Sequence, residues 1–490
     1  MRLKAKVVLA LIFAIVFGHT ALPAAPRQLL QPANWDAGAR LPDATDVNPI
    51  LGVVEVNLEA RVAAVDIGGG KVVEAWTYNG GVPGPLIRVR VGDRLVVRFS
   101  NHLPEPTTIH WHGVRVPIQM DGVPGISQPA VRPGGSFTYD FVVPDAGLYW
   151  YHPHVMSAAQ VGFGLYGALL VEDPDDRVGV SDELVLVLSD MAIDRRGQIE
   201  DPESGGRAGM AFGREGNVVL VNGRTDRTLT ARAGVPQRWR IVNASKTRYF
   251  NLDLEQQPFT KIGGDGGLQE FSQEFEQVLM PPGQRVDLLV APKGRAGSTL
   301  AFRSFVYNRG YGSVEFRPPS EDLFLVTLAE PPDAPLPPRE RTRRAIAPLS
   351  TANATQVAMN MTLEDQNDGS LAYGFNHVPY WQAKPFRAEL GETQVWTLAN
   401  KTPWSHPFHL HGFFFQVLDE HGAPAHPLEW KDTVDVPFDR TVKLVVKFDD
   451  GRPGHWMIHC HILDHAEGGL MGFVQVGPLD PNQKPPSHTH

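Results

Sequence analysis

Cysteine is nearly absent from this chain: Cys460 is the only one in 490 residues. One thiol makes no internal disulfide, so the staples common in small exported domains are excluded. Beyond the first 25 residues no stretch stays apolar for the roughly 18 residues that a spanning helix needs. Basic residues are too few for a general nucleic-acid binder, at 45 Lys and Arg against 54 Asp and Glu, because such a protein carries an excess of positive surface. Long capped helical patterns are missing too, which leaves little room for a helical bundle.

Glycine and proline are plentiful, at 48 and 42 residues, and they separate short runs rich in Val, Leu, Ile and aromatics. Such runs occupy residues 86–99, 136–143, 184–188, 285–290, 393–398 and 442–448. This pattern predicts an all-β protein built of sandwiches or barrels. At the start, Arg2, Lys4 and Lys6 precede an apolar run over residues 7–17 and small residues over 20–25. That is the layout of an export signal, and residues 1–25 are taken as one. No twin arginine and no lipobox cysteine accompany it, so a periplasmic or secreted protein on the general route is expected.

An internal repeat divides the rest into three units. Gly92, Gly234 and Gly391 each precede an asparagine (Asn101, Asn243, Asn400) by nine residues across a strand. Nine and eleven residues beyond the asparagine stand His110 and His112 in unit one and His409 and His411 in unit three, but Leu252 and Leu254 in unit two. The later halves match likewise. GLYWYHPH from Gly147 and GHWMIHCH from Gly454 carry histidines five and seven residues past the glycine, where GSTLAFRS from Gly297 has Phe302 and Ser304. The units are expected at residues 50–175, 180–330 and 345–478, with a disordered tail over 479–490.

Four His-x-His pairs result: His110/His112, His152/His154, His409/His411 and His459/His461. Residues two apart on a strand share a face, so each pair presents two imidazoles to one side. One pair is commonplace, but four pairs restricted to two of three repeats specify a metal cluster. Eight imidazoles exceed what one zinc takes and suit several late first-row ions. Cys460, between His459 and His461, projects to the opposite face. There His406 and His465 complete a set of two histidines and one cysteine, of the blue-copper type.

Through HWHG (110–113), WYHPH (150–154), HPFHLHG (406–412) and HCHILDH (459–465), the chain resembles the three-domain multicopper oxidases of the laccase-like kind over residues 50–476. The resemblance implies three cupredoxin-like Greek-key β-sandwich domains and four copper ions. The type 1 ion would take His406, Cys460 and His465, and the type 2 ion His110 and His409. The type 3 pair would take His112, His152 and His461 on one ion and His154, His411 and His459 on the other. Leu470 stands at the axial position as a non-coordinating residue, with Met471 the alternative. Asp121 matches an acidic position that serves the cluster's water network; Glu467, then Asp464, are further proton carriers to consider.

The resemblance implies an exported oxidase that couples four one-electron oxidations to reduction of O2 to water. Phenols and aromatic amines are the favoured substrates, and Cu(I), Fe(II) or Mn(II) the alternative. From other classes come a non-enzymatic cupredoxin scaffold, which would tolerate lost ligands, and a copper nitrite reductase, which needs only two domains. The partners expected are a small reductant and O2, without nucleic acid or a transmembrane segment, and a monomer is favoured.

Overall fold

A computed structural model describes residues 30–478, apart from 175, 177, 181, 203, 256, 311–318, 333–343, 367–368 and 449–450. The segment read as an export signal and the tail read as disordered lie outside the described residues, as do residues 333–343 between the second and third expected units. Among the described residues no helix is long and apolar enough to cross a membrane.

Among the described residues six sheets form three sandwiches of cupredoxin-like type. The first joins strands Val53–Asp66, Val72–Tyr78, Arg94–Asn101 and Ser136–Val142 in one sheet, with Gly84–Arg90, His110–His112, Gly147–His152 and Gly167–Glu172 in the other. Side chains from both sheets, among them Val56, Val97, Trp111 and Leu169, meet in one apolar core. The second sandwich pairs a six-stranded with a five-stranded sheet, and the third pairs two five-stranded sheets, each around its own core. Among the described residues three short α-helices complete the fold: α1 (Ser157–Gly162), α2 (Gly206–Phe212) and α3 (Leu463–Glu467).

The repeated asparagine has the same duty in each sandwich. Asn101 Nδ2 donates to the carbonyls of Glu105 and Val131, and its Oδ1 accepts the Leu103 amide. Asn243 binds Arg248, Met280 and Ser245 in that way, and Asn400 binds Trp404, Val436 and Thr402. Each asparagine thus ties the turn that ends its strand to a second segment of the chain, and in the first and third sandwiches that turn leads into the histidine-bearing strand.

Two readings of the sequence need correction. The run 86–99 is two strands, Gly84–Arg90 and Arg94–Asn101, because Gly92, at φ 87°, turns the chain in a region that favours glycine. Pairing of the repeats by glycine spacing also slips in unit two. His110 faces His152 and His409 faces His459, but Leu252 faces Ser304 rather than Phe302. A shift of two residues keeps every side chain on its face, so that shift is compatible with the sandwich.

Candidate functional site

The imidazoles of the four His-x-His pairs, from the first and third sandwiches, meet in one buried cluster. His110 and His112 share the short strand His110–His112, with His152 at the end of Gly147–His152 and His154 just after it. His409 lies in strand His406–Leu410 and His459 in Gly454–Cys460, with His411 and His461 just beyond. His110 stacks on His411 at 3.9 Å between ring centroids and His112 on His409 at 3.8 Å, so rings from the two sandwiches interleave. His461 lies 4.8 Å from His112 and 5.6 Å from His152. Donor atoms of His154, His411 and His459 converge within 4.8 Å, as do those of His110, His409 and His411.

Hydrogen bonds at one ring nitrogen decide what the other can do. A carbonyl oxygen only accepts, so the nitrogen facing it carries the proton and the opposite one keeps its lone pair. Nδ1 donates to the carbonyl of Asp121 from His110 (2.8 Å), of Pro153 from His152 (3.0 Å), of Asp432 from His409 (2.9 Å) and of Cys460 from His459 (2.8 Å). His411 Nδ1 donates to Asp121 Oδ2 at 2.9 Å. The Nε2 atoms of His110, His152 and His409 are buried without a partner, as is Nδ1 of His112. Nε2 of His411 and Nε2 of His459 stand 3.1 Å apart, two lone pairs that repel unless a cation lies between them. These orphaned donors fit metal ions.

The second site lies on the other side of Cys460. Its Sγ is 3.4 Å from His406 Nδ1 and 3.9 Å from His465 Nδ1, and the two nitrogens are 3.0 Å apart. Bonds of about 2.0–2.3 Å in a trigonal set of two nitrogens and one sulfur give edges of roughly 3.5–3.8 Å, close to that triangle. His406 Nε2 is fixed by Thr402 Oγ1 at 2.7 Å, and the Ile462 amide donates to the sulfur at 3.4 Å. Tyr373 stacks on His465 at 4.5 Å and donates to the Ala211 carbonyl of α2 at 2.7 Å, so helix α2 caps this site.

Burial sets the protonation states. It lowers the pKa of His406 and His411 to about 3 and holds His112, His152, His459, His461 and His465 well below the ordinary imidazole range. Neutral imidazoles are metal ligands. Burial pushes the Cys460 thiol up, so a metal that binds there must displace a proton. At Asp121 burial opposes the charge, but His411 and His110 hold the carboxyl far below the usual range.

The carboxylates expected from sequence occupy different surroundings. Asp121 is buried against two cluster imidazoles, with Oδ1 3.3 Å from His110 Nδ1. Glu467 Oε1 accepts the Ala158 amide at 2.8 Å, which ties α3 to α1, the helix after His154. Asp464 is fully buried and held by Arg214, Lys246 and Thr247 of the second sandwich, so it is a clasp between domains. Leu470 is buried in the apolar cluster that includes Cys460, whereas Met471 packs with Val123, Ile126 and Met457. Sequence reasoning missed Asp432, whose Oδ1 lies 3.2 Å from His112 Nε2 and 3.4 Å from His409 Nδ1. It also missed Arg285, which pairs with Asp432; the signal available was a charge inside the apolar strands of PPGQRVDLLV and EWKDTVDV.

Three cupredoxin-like sandwiches that enclose a cysteine flanked by two histidines and a nest of imidazoles define a class of copper-dependent oxidoreductases. Models of the multicopper oxidase family match residues 59–176, 182–305 and 348–480. The chain is 30% identical over 455 residues to multicopper oxidase MmcO of Mycobacterium tuberculosis, covering 85% of this chain and 86% of that protein. It is 25% identical over 488 residues to Laccase-2 of Cryptococcus neoformans var. grubii, covering 82% and 81%. Among solved structures, the multicopper oxidase of Campylobacter jejuni, described as a metallo-oxidase, superposes with a TM-score of 0.79 at 30% identity, covering 89% of this chain and 94% of that one. The chain belongs to the multicopper oxidase family: it is an oxidoreductase that takes oxygen as acceptor and copper as cofactor.

Proposed function

We propose that this protein is an exported oxidase that takes single electrons from phenols or aromatic amines at His406, Cys460 and His465 and reduces O2 to water at the eight-imidazole cluster. The reading rests above all on the convergence of two orphaned donor sets on either side of one tripeptide, His459–Cys460–His461. Bound copper would supply the one-electron chemistry at the sulfur and the four-electron reduction of O2 at the cluster. The assignment is one ion on His406, Cys460 and His465, a second on His110 and His409, and a pair on His112, His152 and His461 and on His154, His411 and His459.

The chain's own groups do the rest. Cys460 is bonded through the backbone to residues of the other site, so few covalent bonds separate the two. Asp121 orients His411 and His110 and is the nearest candidate to hand protons to the cluster, with Glu467 a more remote one. Leu470, with no donor atom, leaves the sulfur site without a thioether, which favours a high potential.

A second reading, oxidation of Cu(I), Fe(II) or Mn(II), is supported by the likeness to the Campylobacter jejuni metallo-oxidase. The decisive experiment is copper analysis with a steady-state screen. Purified protein should bind about four coppers with an intense blue thiolate band and turn over phenols faster than metal ions; the reverse preference selects the second reading. Cys460→Ser should lose colour and activity while keeping its fold, and a blue, active variant would disprove the assignment.

A further inference from the structure

The middle sandwich carries none of the ligands, yet one of its loops reaches the imidazole cluster. Gly283, at φ 85°, packs so closely that a Cβ built on it would lie 2.8 Å from Cδ2 of His461 and 3.1 Å from Cε1 of His112. Two residues on, Arg285 is 1% exposed and all its donors are used. Nε donates to the Leu148 carbonyl (3.2 Å), Nη1 to the Gly283 carbonyl (2.9 Å) and Asp432 Oδ1 (2.8 Å), and Nη2 to the Asp265 carbonyl (3.0 Å) and Asp432 Oδ2. Those acceptors come from all three sandwiches. Gly113 leaves the space: a Cβ there would collide with Arg285 Nη2 and Asp432 Oδ2.

Asp432 passes this constraint on. His112 Nε2 donates to its Oδ1 at 3.2 Å, and His409 Nδ1 donates to its main-chain oxygen at 2.9 Å. His112 belongs to the first sandwich and His409 to the third, and their rings stack face to face. A buried ion pair contributes little net stability, because desolvation offsets the attraction. What the fork does supply is orientation: two parallel N–H bonds fix a carboxylate in plane and in direction.

We infer that Arg285 is a positioning residue for the cluster, locking Asp432 so that His112 and His409 keep the tautomer and tilt that aim Nδ1 and Nε2, respectively, at the metals of the cluster. The inference deepens the oxidase reading and rests on it. Partners of metal-ligating histidines typically change metal hold or activity by about 10–100-fold when removed, and lysine, a point charge, does not reproduce a planar fork.

The test compares the full-length parent with Arg285→Gln and Arg285→Lys, each reconstituted with copper. In both variants the blue thiolate band should persist, while the paramagnetic and near-ultraviolet signals of the cluster weaken or shift. The cluster coppers should leave at about 10–100-fold lower chelator concentration, with lysine nearer to glutamine than to the parent. Cluster signals and copper retention like the parent's in Arg285→Gln would overturn the inference. So would loss of the blue band in parallel with the cluster, since that marks a general structural role; if glutamine prevents folding, the lysine variant is read by the same criteria. A parent that binds no copper would instead sink the oxidase reading itself.

Discussion

Replacing Leu470 with methionine asks which residue faces the sulfur site. Leu470 is fully buried among Tyr373, Phe408, Ile458, Cys460 and Ile462. Its amide donates to the His465 carbonyl at 2.9 Å and its carbonyl accepts the Cys460 amide at 3.0 Å, so the backbone ties position 470 to both Cys460 and His465. Leucine and methionine have similar volumes, and exchanges of this kind usually cost less than about 1.5 kcal/mol, so Leu470→Met should fold. A thioether beside the metal favours the oxidised ion. Each tenfold gain in that preference, about 1.4 kcal/mol, lowers a one-electron potential by about 59 mV. A fall of tens of millivolts is therefore expected in a redox titration followed through the blue band. Met471→Leu should leave the potential in place, because Met471 packs with Val123, Ile126, Tyr380 and Met457. If the potential stays put in Leu470→Met and moves in Met471→Leu, the assignment of the near residue is wrong.

Metal-free protein should lose stability as the pH falls. Unfolded imidazoles take up protons below about pH 6.5, whereas burial keeps His112, His152, His406, His409, His411, His459, His461 and His465 neutral in the fold. Each then removes up to about 1.4 kcal/mol per pH unit below that point, and a flat urea midpoint between pH 7.5 and 5 would contradict the burial. Copper uptake at Cys460 should release a proton, because burial raises the thiol pKa; calorimetry in buffers of different ionisation heat measures it, and equal heats would count against it. Asp121→Asn weakens the acceptor of His411 Nδ1–H and should slow O2 reduction more than reduction of the sulfur-bound metal by substrate. Stopped-flow kinetics separate the two, and equal slowing would remove Asp121 from the cluster's chemistry.

The histidines were legible because their information is local. A period of two puts each pair on one face, and the repeat shows which units carry them. The asparagines belonged to the same pattern, though their bonds to neighbouring strands emerged only in the fold. Asp432 and Arg285 were hidden for a physical reason: they lie 147 residues apart, and neither has a role until three sandwiches pack together. Asp464, the last of the proton-carrier candidates, likewise shows its contacts only in the fold. It stands beside His465 in sequence, and its carboxylate is held by Arg214, Lys246 and Thr247 of the second sandwich.

These contacts also give the middle sandwich, which lacks the His-x-His pairs, a part in both sites. Through Gly283 and Arg285 it walls and braces the imidazole cluster. Through α2 it covers the sulfur site, with Phe212 against Trp404 at 5.3 Å and the Ala211 carbonyl on Tyr373. Its inner end is fastened by the Arg214 amide on Asp464 at 2.7 Å, and its outer end by the exposed pair Arg207–Asp365. An exposed pair is weak, worth about 0–1 kcal/mol, whereas the buried clasp has several bonds. Two sandwiches suffice to supply every histidine of the cluster and of the Cys460 site, but they would leave His112, His461 and His465 without the packing that buries them. The middle unit of the repeat keeps those surfaces without the His-x-His pairs.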